Sequence, residues 1–426
     1  GGFIRFNEPM DLPNGSSISI NGARLLDRIA ELAQIGAIEN TQGCSRLAFS
    51  DADREGRDLV VTWMHDLGLA VTTDTVGNVV ASTSNDGASG AVMAGSHIDT
   101  VGTGGRYDGN LGVLAGLEVI EATLAAGIDL QRPLAVAFFS NEEGSRYPPD
   151  MMGSLAYVGG MSVESVLNVE GADGTVVGEE LERIGYRGSA PCPGAIPHAY
   201  VELHIEQGPV LDQAGLQIGV VEGVQGISWT ELVITGQSNH AGTTPMTLRR
   251  DSMVVAGQVT VAARAIALEL GGSQVATVGS LTPHPNLVNV VPAHTTMTVD
   301  LRNTDEKSLQ VAEEQLRQRT AELAEAEGVE VNSRTLARFE PVEFDDRVVD
   351  QIEHLATRRG LSTKRMPSGA GHDAQMMARV CPTGMIFVPS VGGVSHNPAE
   401  HTDEQDLIAG AQLLADTLLA LTEVNW

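Results

Sequence analysis

Uninterrupted apolar runs alternate along this chain with apolar positions at helical spacing. The runs at 91–94, 134–139 and 385–388 have strand length and no polar interruption, as strands buried on both faces do. A fourth, at 199–205, leads into Glu206-Gln-Gly-Pro. Leu25, Leu26, Ile29, Leu32 and Ile35 recur at helical spacing behind Asn21, a residue type that caps helices. Residues 51–67 predict a second helix capped by Ser50, and 111–126, 345–359 and 403–422 predict three more. Short strands at 70–73 and 78–82 flank a turn at 74–77 and predict a hairpin. Repeated alternation of strand, polar loop and helix predicts an α/β sheet covered on both faces.

The pattern changes twice. Residues 165–195, rich in glycine, glutamate and proline, predict an irregular connection after a short helix that starts near Ser162. From Ile227 the strands alternate instead of running continuously apolar. Residues 228–235, 275–281, 295–301 and 329–336 read as strands, and 251–270 and 305–327 as helices. Strand, helix, two strands, helix, strand is the ferredoxin-like order. It predicts an inserted domain at about 226–338 within a discontinuous domain made of 20–225 and 339–426. Two domains also suit 426 residues, more than one core usually serves.

Composition narrows the partners. A net charge of -29 argues against nucleic acid and anionic membranes, both polyanions. Cys44, Cys192 and Cys381 are scattered and form no C-x-x-C pair, which fits a reducing compartment better than a disulfide framework. The first seventeen residues lack the basic start and apolar core of a secretion leader. No apolar stretch approaches the roughly 20 residues that span a bilayer. These features together predict a soluble, cytoplasmic protein.

Chemistry gathers where the apolar runs end. The first delivers GSHIDTVGTGGRYDGN, with His97 and Asp99 as an H-x-D pair and Asp108 eleven residues after His97. The second is followed by Glu142 and Glu143, the 199–205 run contains His204, and His396 follows the third. Ligands of open α/β sheets bind beyond the carboxyl ends of the strands, so these clusters can share one rim. Imidazole with carboxylate suits zinc, manganese, cobalt or nickel. Read from the residues alone, either Glu142 or Glu143 could serve as a general base.

The segments GSHIDTVGTGGRYDG, NEEGSRY, ELHIEQGPVL, SNHAGTTPM, SGAGHDA and VSHNPAEH, in this order, resemble one family. It comprises the binuclear metal amidohydrolases: N-carbamoyl-L-amino-acid hydrolases, allantoate amidohydrolases and β-ureidopropionases, grouped with the co-catalytic zinc aminopeptidases and aminoacylases. The resemblance runs from about residue 22 to 424. It implies a zinc-exopeptidase-like α/β domain, a mixed sheet sandwiched by helices, with the inserted ferredoxin-like α+β domain acting as lid and dimerisation domain. Residue by residue it implies that His97, Asp108 and His204 hold one divalent ion. Asp108, Glu143 and His396 would hold a second, with Asp108 bridging. Asp99 would accept the other ring N–H of His97, and Glu142 would be the general base.

The same resemblance makes Gln207, Asn289, Arg302, Gly369, Ala370 and His372 substrate contacts. The guanidinium fork of Arg302 suits a substrate carboxylate, although an ion pair with Asp300 or Asp305 is the plainer reading. His372 suits a bond within its own loop nearly as well. His240 would reach a partner subunit's active site to stabilise an oxyanion, which implies a homodimer. The implied reaction is hydrolysis of a linear C–N amide in a small ureido carboxylate. An N-carbamoyl-L-amino acid is the first expectation, with allantoate or N-carbamoyl-β-alanine as alternatives. An aminoacylase or dipeptidase is a more distant alternative, and a catalytically silent binding protein would have no physical need for the whole set of ligands and Glu142.

Overall fold

The computed structural model describes residues 18–426, so the first seventeen residues, read above for a leader, lie outside the described residues. The chain forms two compact units. The first comprises the residues up to Gly223 together with Glu343–Trp426, and the second is Val224–Val342.

The first unit is built on a mixed nine-stranded sheet. Four of its strands, Leu134–Phe138, Val92–Ser96, Ala199–Ile205 and Thr383–Val388, are consecutive neighbours and mutually parallel. Every residue in these four is buried, which explains the unbroken apolar runs in three of them; Ala199–Ile205 buries Glu202 and His204 as well. Because they run parallel, their carboxyl ends open on one edge. Ser96 pairs with Phe138, and Ile205 pairs with Val388, so the loops that follow start side by side. The hairpin Ala70–Thr73 and Val79–Ser82 continues the sheet beyond Leu134–Phe138. Helices Asn110–Ala126 and Glu404–Thr422 pack against each other and against the central strands. Leu111, Leu114 and Leu117 are fully buried there, each contributing about 1.5–3 kcal/mol.

The stretch 165–195 is not wholly irregular. Val177–Ile184 is a helix whose Val177, Leu181 and Ile184 are buried at helical spacing, closed by Gly185 in the left-handed conformation. Three apolar residues among glutamates and glycines are too few to stand out over so short a span. Strands Ile218–Val224 and Thr363–Ser368 also add to the sheet without having been predicted.

In the second unit the sheet order is Glu330–Phe339, Gly226–Thr235, His294–Asn303, Val275–His284, with every neighbour antiparallel. Helices Ser252–Leu270 and Glu306–Glu327 close a core that includes Leu232, Ile234, Val259, Met297, Val299 and Leu316. This is the connectivity and strand order of a ferredoxin-like fold. A short ribbon pairs Asn239–His240 with Val290–Val291. One expectation needs correcting: Ser252–Leu270 is long and apolar enough to cross a membrane by length and composition. Alanines, glycine and valines carry its apolarity, and polar residues at Gln258, Thr260 and Arg264 break it up in sequence. Val255, Ala256, Val259, Ala263 and Ile266 are buried in the core, while Met253, Val254, Val261 and Leu268 are exposed.

Candidate metal centre

Each cluster at the strand ends is aimed by its local backbone. Val92–Ser96 hands directly to His97, whose Nδ1 lies 2.8 Å from the main-chain oxygen of Asp99. The ring therefore donates from Nδ1 and turns Nε2 inward. His204 is held the same way, its Nδ1 2.8 Å from the oxygen of Ile205. Both Nε2 atoms are buried without a hydrogen-bond partner, and both face Asp108 Oδ1, at 3.4 Å from His97 and 3.2 Å from His204. Gly109 makes this approach possible. Its φ of 72° lies in the left-handed region, and a Cβ there would sit 2.4 Å from the His97 ring.

The other oxygen of Asp108 faces a second group. His396 Nε2 is 3.3 Å from Asp108 Oδ2 and 3.3 Å from Glu143 Oε2. His97, Asp108 and His204 thus make one cluster with metal-ligand spacing, and Asp108, Glu143 and His396 make another, sharing Asp108. Glu142 reaches the first cluster, its Oε2 3.3 Å from His97 Nε2.

The electrostatics follow from crowding. Burial opposes a charge on His97, but Glu142, Asp108, Asp99 and Glu143 outweigh it and hold the ring well above its ordinary pKa. Burial would raise Asp108, yet the facing imidazoles of His204, His396 and His97 hold it well below the usual carboxylate range. Burial pushes Glu142 well above that range, and burial with the charge of Asp108 pushes Glu143 to about 7. Hydrogen bonds to Asp108 and Glu143 raise His396 to about 10. These acids hold one another's charge in check only through protons. A divalent ion would relieve the same imbalance, and the two inward Nε2 atoms are suited to bind it. The residues fit the metals that the sequence suggested.

Asp99 departs from its expected contact, and Gln207 and His372 make bonds of their own beside the centre. The Asp99 carboxylate is 3.7 Å from His97 Nδ1, too far for a hydrogen bond. It instead accepts the backbone N–H groups of Glu142 and Glu143, each at 3.2 Å. Asp99 therefore orients His97 through its main chain and the two glutamates through its side chain. Asn141, just before them, has φ 52° and ties its side chain to the Tyr147 oxygen, while Met151 N–H donates to the Glu142 oxygen. Gln207 donates Nε2 to Asp108 Oδ2 at 2.9 Å and to Ser395 Oγ at 3.1 Å, leaving its buried Oε1 without a partner. His372 is buried, 2.8 Å from Ser368 Oγ and edge-on to the His204 ring at 4.4 Å. That bond lies within its own loop, where Ala370 also donates to Ser368 Oγ and Gly369 is exposed.

His240, Asn289 and Arg302 belong to the second unit. His240 is exposed, and its Nδ1 accepts N–H groups from Gly242 and Thr243 at 3.0 and 3.2 Å. In the neutral ring the proton consequently sits on Nε2, which is left as a donor. Asn289, also exposed, accepts from Ala241 N–H through its main-chain oxygen. Arg302 gives Nε and Nη2 to Asp300, two residues back on the same face of its strand.

Sequence reasoning missed Glu400, a buried acid that accepts from Tyr107 and Asp108 N–H, and Glu202, which accepts from Ser96, Tyr200 and Ala374 beside His204. It also missed Arg46, fully buried, whose guanidinium binds the oxygens of Ile98, Leu32 and Ile35 and the side chain of Asn110. The signal for Glu400 was its place four residues after His396. Nothing local marked the other two.

Residues 93–420 match the profile of the peptidase family M20/M25/M40. An N-carbamoyl-L-amino-acid amidohydrolase of Rhizobium meliloti is 36% identical over 96% of this chain and 99% of its own length. An allantoate amidohydrolase of Escherichia coli is 36% identical over 93% of this chain and 96% of its own. Among solved structures, an amidase of the hydantoinase/carbamoylase family from Burkholderia multivorans superposes with a TM-score of 0.86 at 42% identity, covering 95% of this chain and 98% of that one.

Proposed function

Because the chain belongs to the peptidase family M20/M25/M40, we propose that it is a metal-dependent amidohydrolase acting on small ureido carboxylates, foremost N-carbamoyl-L-amino acids. The observation that carries the metal reading is the convergence of two buried, unpartnered imidazole nitrogens on one oxygen of Asp108. His97, Asp108 and His204 would hold one divalent ion, and Asp108, Glu143 and His396 a second. Zinc, manganese, cobalt and nickel all suit this donor set. Bound there, the ions would polarise the substrate carbonyl and bring the pKa of a water from about 15.7 to about 7.

The chain's own groups supply the rest. Glu142, buried and held above its ordinary pKa, takes a proton from the attacking water and returns it to the leaving nitrogen. Asp99 keeps both glutamates in place through their N–H groups. Water adds to the ureido carbon and one C–N bond breaks with the proton from Glu142 on its nitrogen; the carbamate left over then loses CO2 as its own C–N bond breaks, so the products are the L-amino acid, ammonia and CO2. The free Oε1 of Gln207 is an acceptor for a substrate N–H. Arg302, steadied by Asp300, with Asn289 beside the His240 turn, supplies carboxylate recognition. His240, with its Nε2–H left as a donor, would reach the active site of a partner subunit and stabilise the oxyanion there.

Homodimerisation through the second unit is supported by its outer strand Val275–His284, paired on one edge only among the described residues, and by the exposed apolar residues of Ser252–Leu270. Allantoate remains a second substrate reading, since its amidohydrolase matches at the same 36% identity. The test is ammonia release by metal-loaded protein from a panel of N-carbamoyl-L-amino acids, allantoate and N-carbamoyl-β-alanine. Release from none of them would sink the ureido reading.

A further inference from the structure

A carboxylate that bridges two ions must present its two oxygens to two different ligand groups, and its backbone decides whether it can. At Asp108 that backbone is gripped from behind. The N–H groups of Tyr107 and Asp108 both donate to Glu400 Oε1, each at 3.2 Å. Ser395 Oγ lies 3.4 Å from Glu400 Oε2 and accepts from Gln207 Nε2, which also donates to Asp108 Oδ2. The bonds close a ring through Asp108, from its main chain to Glu400, Ser395 and Gln207 and back to its carboxylate. The loop that supplies Glu400 and Ser395 also carries His396, so one segment provides a ligand and the clamp on its shared neighbour. Space has been left for this acid: a Cβ on Gly105 would stand 2.1 Å from Glu400 Oε1. Glu400 is 2% exposed, and no arginine or lysine forms an ion pair with it among the described residues. A buried acid without a cationic partner is costly unless it serves a nearby charge.

We infer that Glu400 is a positioning residue, fixing the main chain at Asp108 so that its two oxygens stay divided between the two ligand groups. The inference rests on the reading of Asp108 as a ligand shared by two ions.

The test is a titration of metal-stripped full-length protein with Mn2+, followed by steady-state kinetics in excess Mn2+. Replacing residues behind metal ligands weakens metal binding by about 10–100-fold. Glu400→Ala is therefore expected to weaken at least one Mn2+ site about tenfold or more, with kcat restored by excess Mn2+ and KM unchanged. Glu400→Gln keeps an oxygen for both N–H groups and is expected to rescue affinity to within about threefold of wild type. Gly105→Ala displaces the carboxylate without altering it and is expected to copy the loss. Wild-type affinity in Glu400→Ala overturns the inference, as does a Glu400→Gln loss equal to that of Glu400→Ala. Should Glu400→Ala not fold, wild-type affinity in Gly105→Ala overturns it equally. Asp108→Ala separates the premises: if it retains both ions, the shared-ligand reading fails, whatever Glu400 does.

Discussion

In the first unit, His97, His204, Asp108 and Glu142 are buried, on strand ends and loops that bonds such as Glu142 N–H to Asp99 and Asp108 N–H to Glu400 tie together. In the second, His240 and Asn289 are exposed and lean on one short ribbon and its turn. Arg302 gives its Nε and Nη2 to Asp300, two residues back on its own strand. The buried set can be shaped only by the whole sheet, because four parallel strands must end together before any two ligands meet. The exposed set needs only local geometry. The difference is one of construction: the first set depends on how several strands end together, the second on a ribbon, a turn and one strand. It also implies that substitutions in the two units fail in different ways.

The largest effect is expected at Glu142. Glu142→Gln keeps the shape and removes the base, so kcat should fall about 10²–10⁴-fold while metal content and thermal stability hold. Near-wild-type turnover with metal bound would show that another group moves the proton. His240→Ala should lower kcat by about 10²–10³, the cost of one oxyanion donor, again without a change in metal content. If this variant loses metal as Asp108→Ala is expected to, the contrast between the units collapses.

Arg302→Ala should act on binding instead. Losing a charge-assisted hydrogen bond of about 1.5–3 kcal/mol corresponds to a KM increase of roughly ten- to a hundredfold for carboxylated substrates. Asp300→Ala should give a smaller rise, since it loosens the guanidinium without removing it. An unchanged KM in Arg302→Ala would remove carboxylate recognition from this residue.

What the sequence revealed divides along the same line. The apolar runs within the strands 92–96, 134–138 and 383–388 were legible because burial on both faces favours unbroken apolar sequence, and 199–205 was legible although Glu202 and His204 interrupt it. Their polar followers, from His97 to His396, were legible because such residues have little structural reason to end so many strands. Roles were harder. Asp99 was expected to meet the His97 ring with its carboxylate, yet a two-residue offset lets the main-chain oxygen arrive first. Gln207, with φ 61°, turns its amide toward Asp108, an orientation no periodicity encodes. Arg46 joins residues as far apart as Leu32 and Asn110, and a buried guanidinium bound mainly to carbonyl oxygens has no sequence pattern. The helix Val177–Ile184 was hidden by its shortness and polar content.

The smallest expected effect separates the units by pH. In the ion-free first unit, hydrogen bonds to Asp108 and Glu143 raise His396 to about 10 from 6.5, and burial with the charge of Asp108 raises Glu143 to about 7 from 4.5. Both shifts favour the protonated form in the folded state. The His396 contribution to stability is therefore complete below 6.5 and lost as pH rises toward 10, and that of Glu143 is complete below 4.5 and lost as pH rises through about 7. Asp108, held well below its usual range, stays charged throughout this window and adds no slope. Metal must displace the same protons, so its apparent affinity should climb with pH by up to tenfold per unit for each proton released. That is about 1.4 kcal/mol per unit for one proton, over a narrower pH window for half-exposed His396, whose shift solvent screening reduces. Thermal unfolding of stripped and Mn2+-saturated protein from pH 6 to 9 should thus show a widening gap in Tm. His396→Ala should flatten the upper part of that widening, whereas His240→Ala in the second unit should leave it untouched. A gap that stays constant with pH would mean that these protons are not the ones the ions displace.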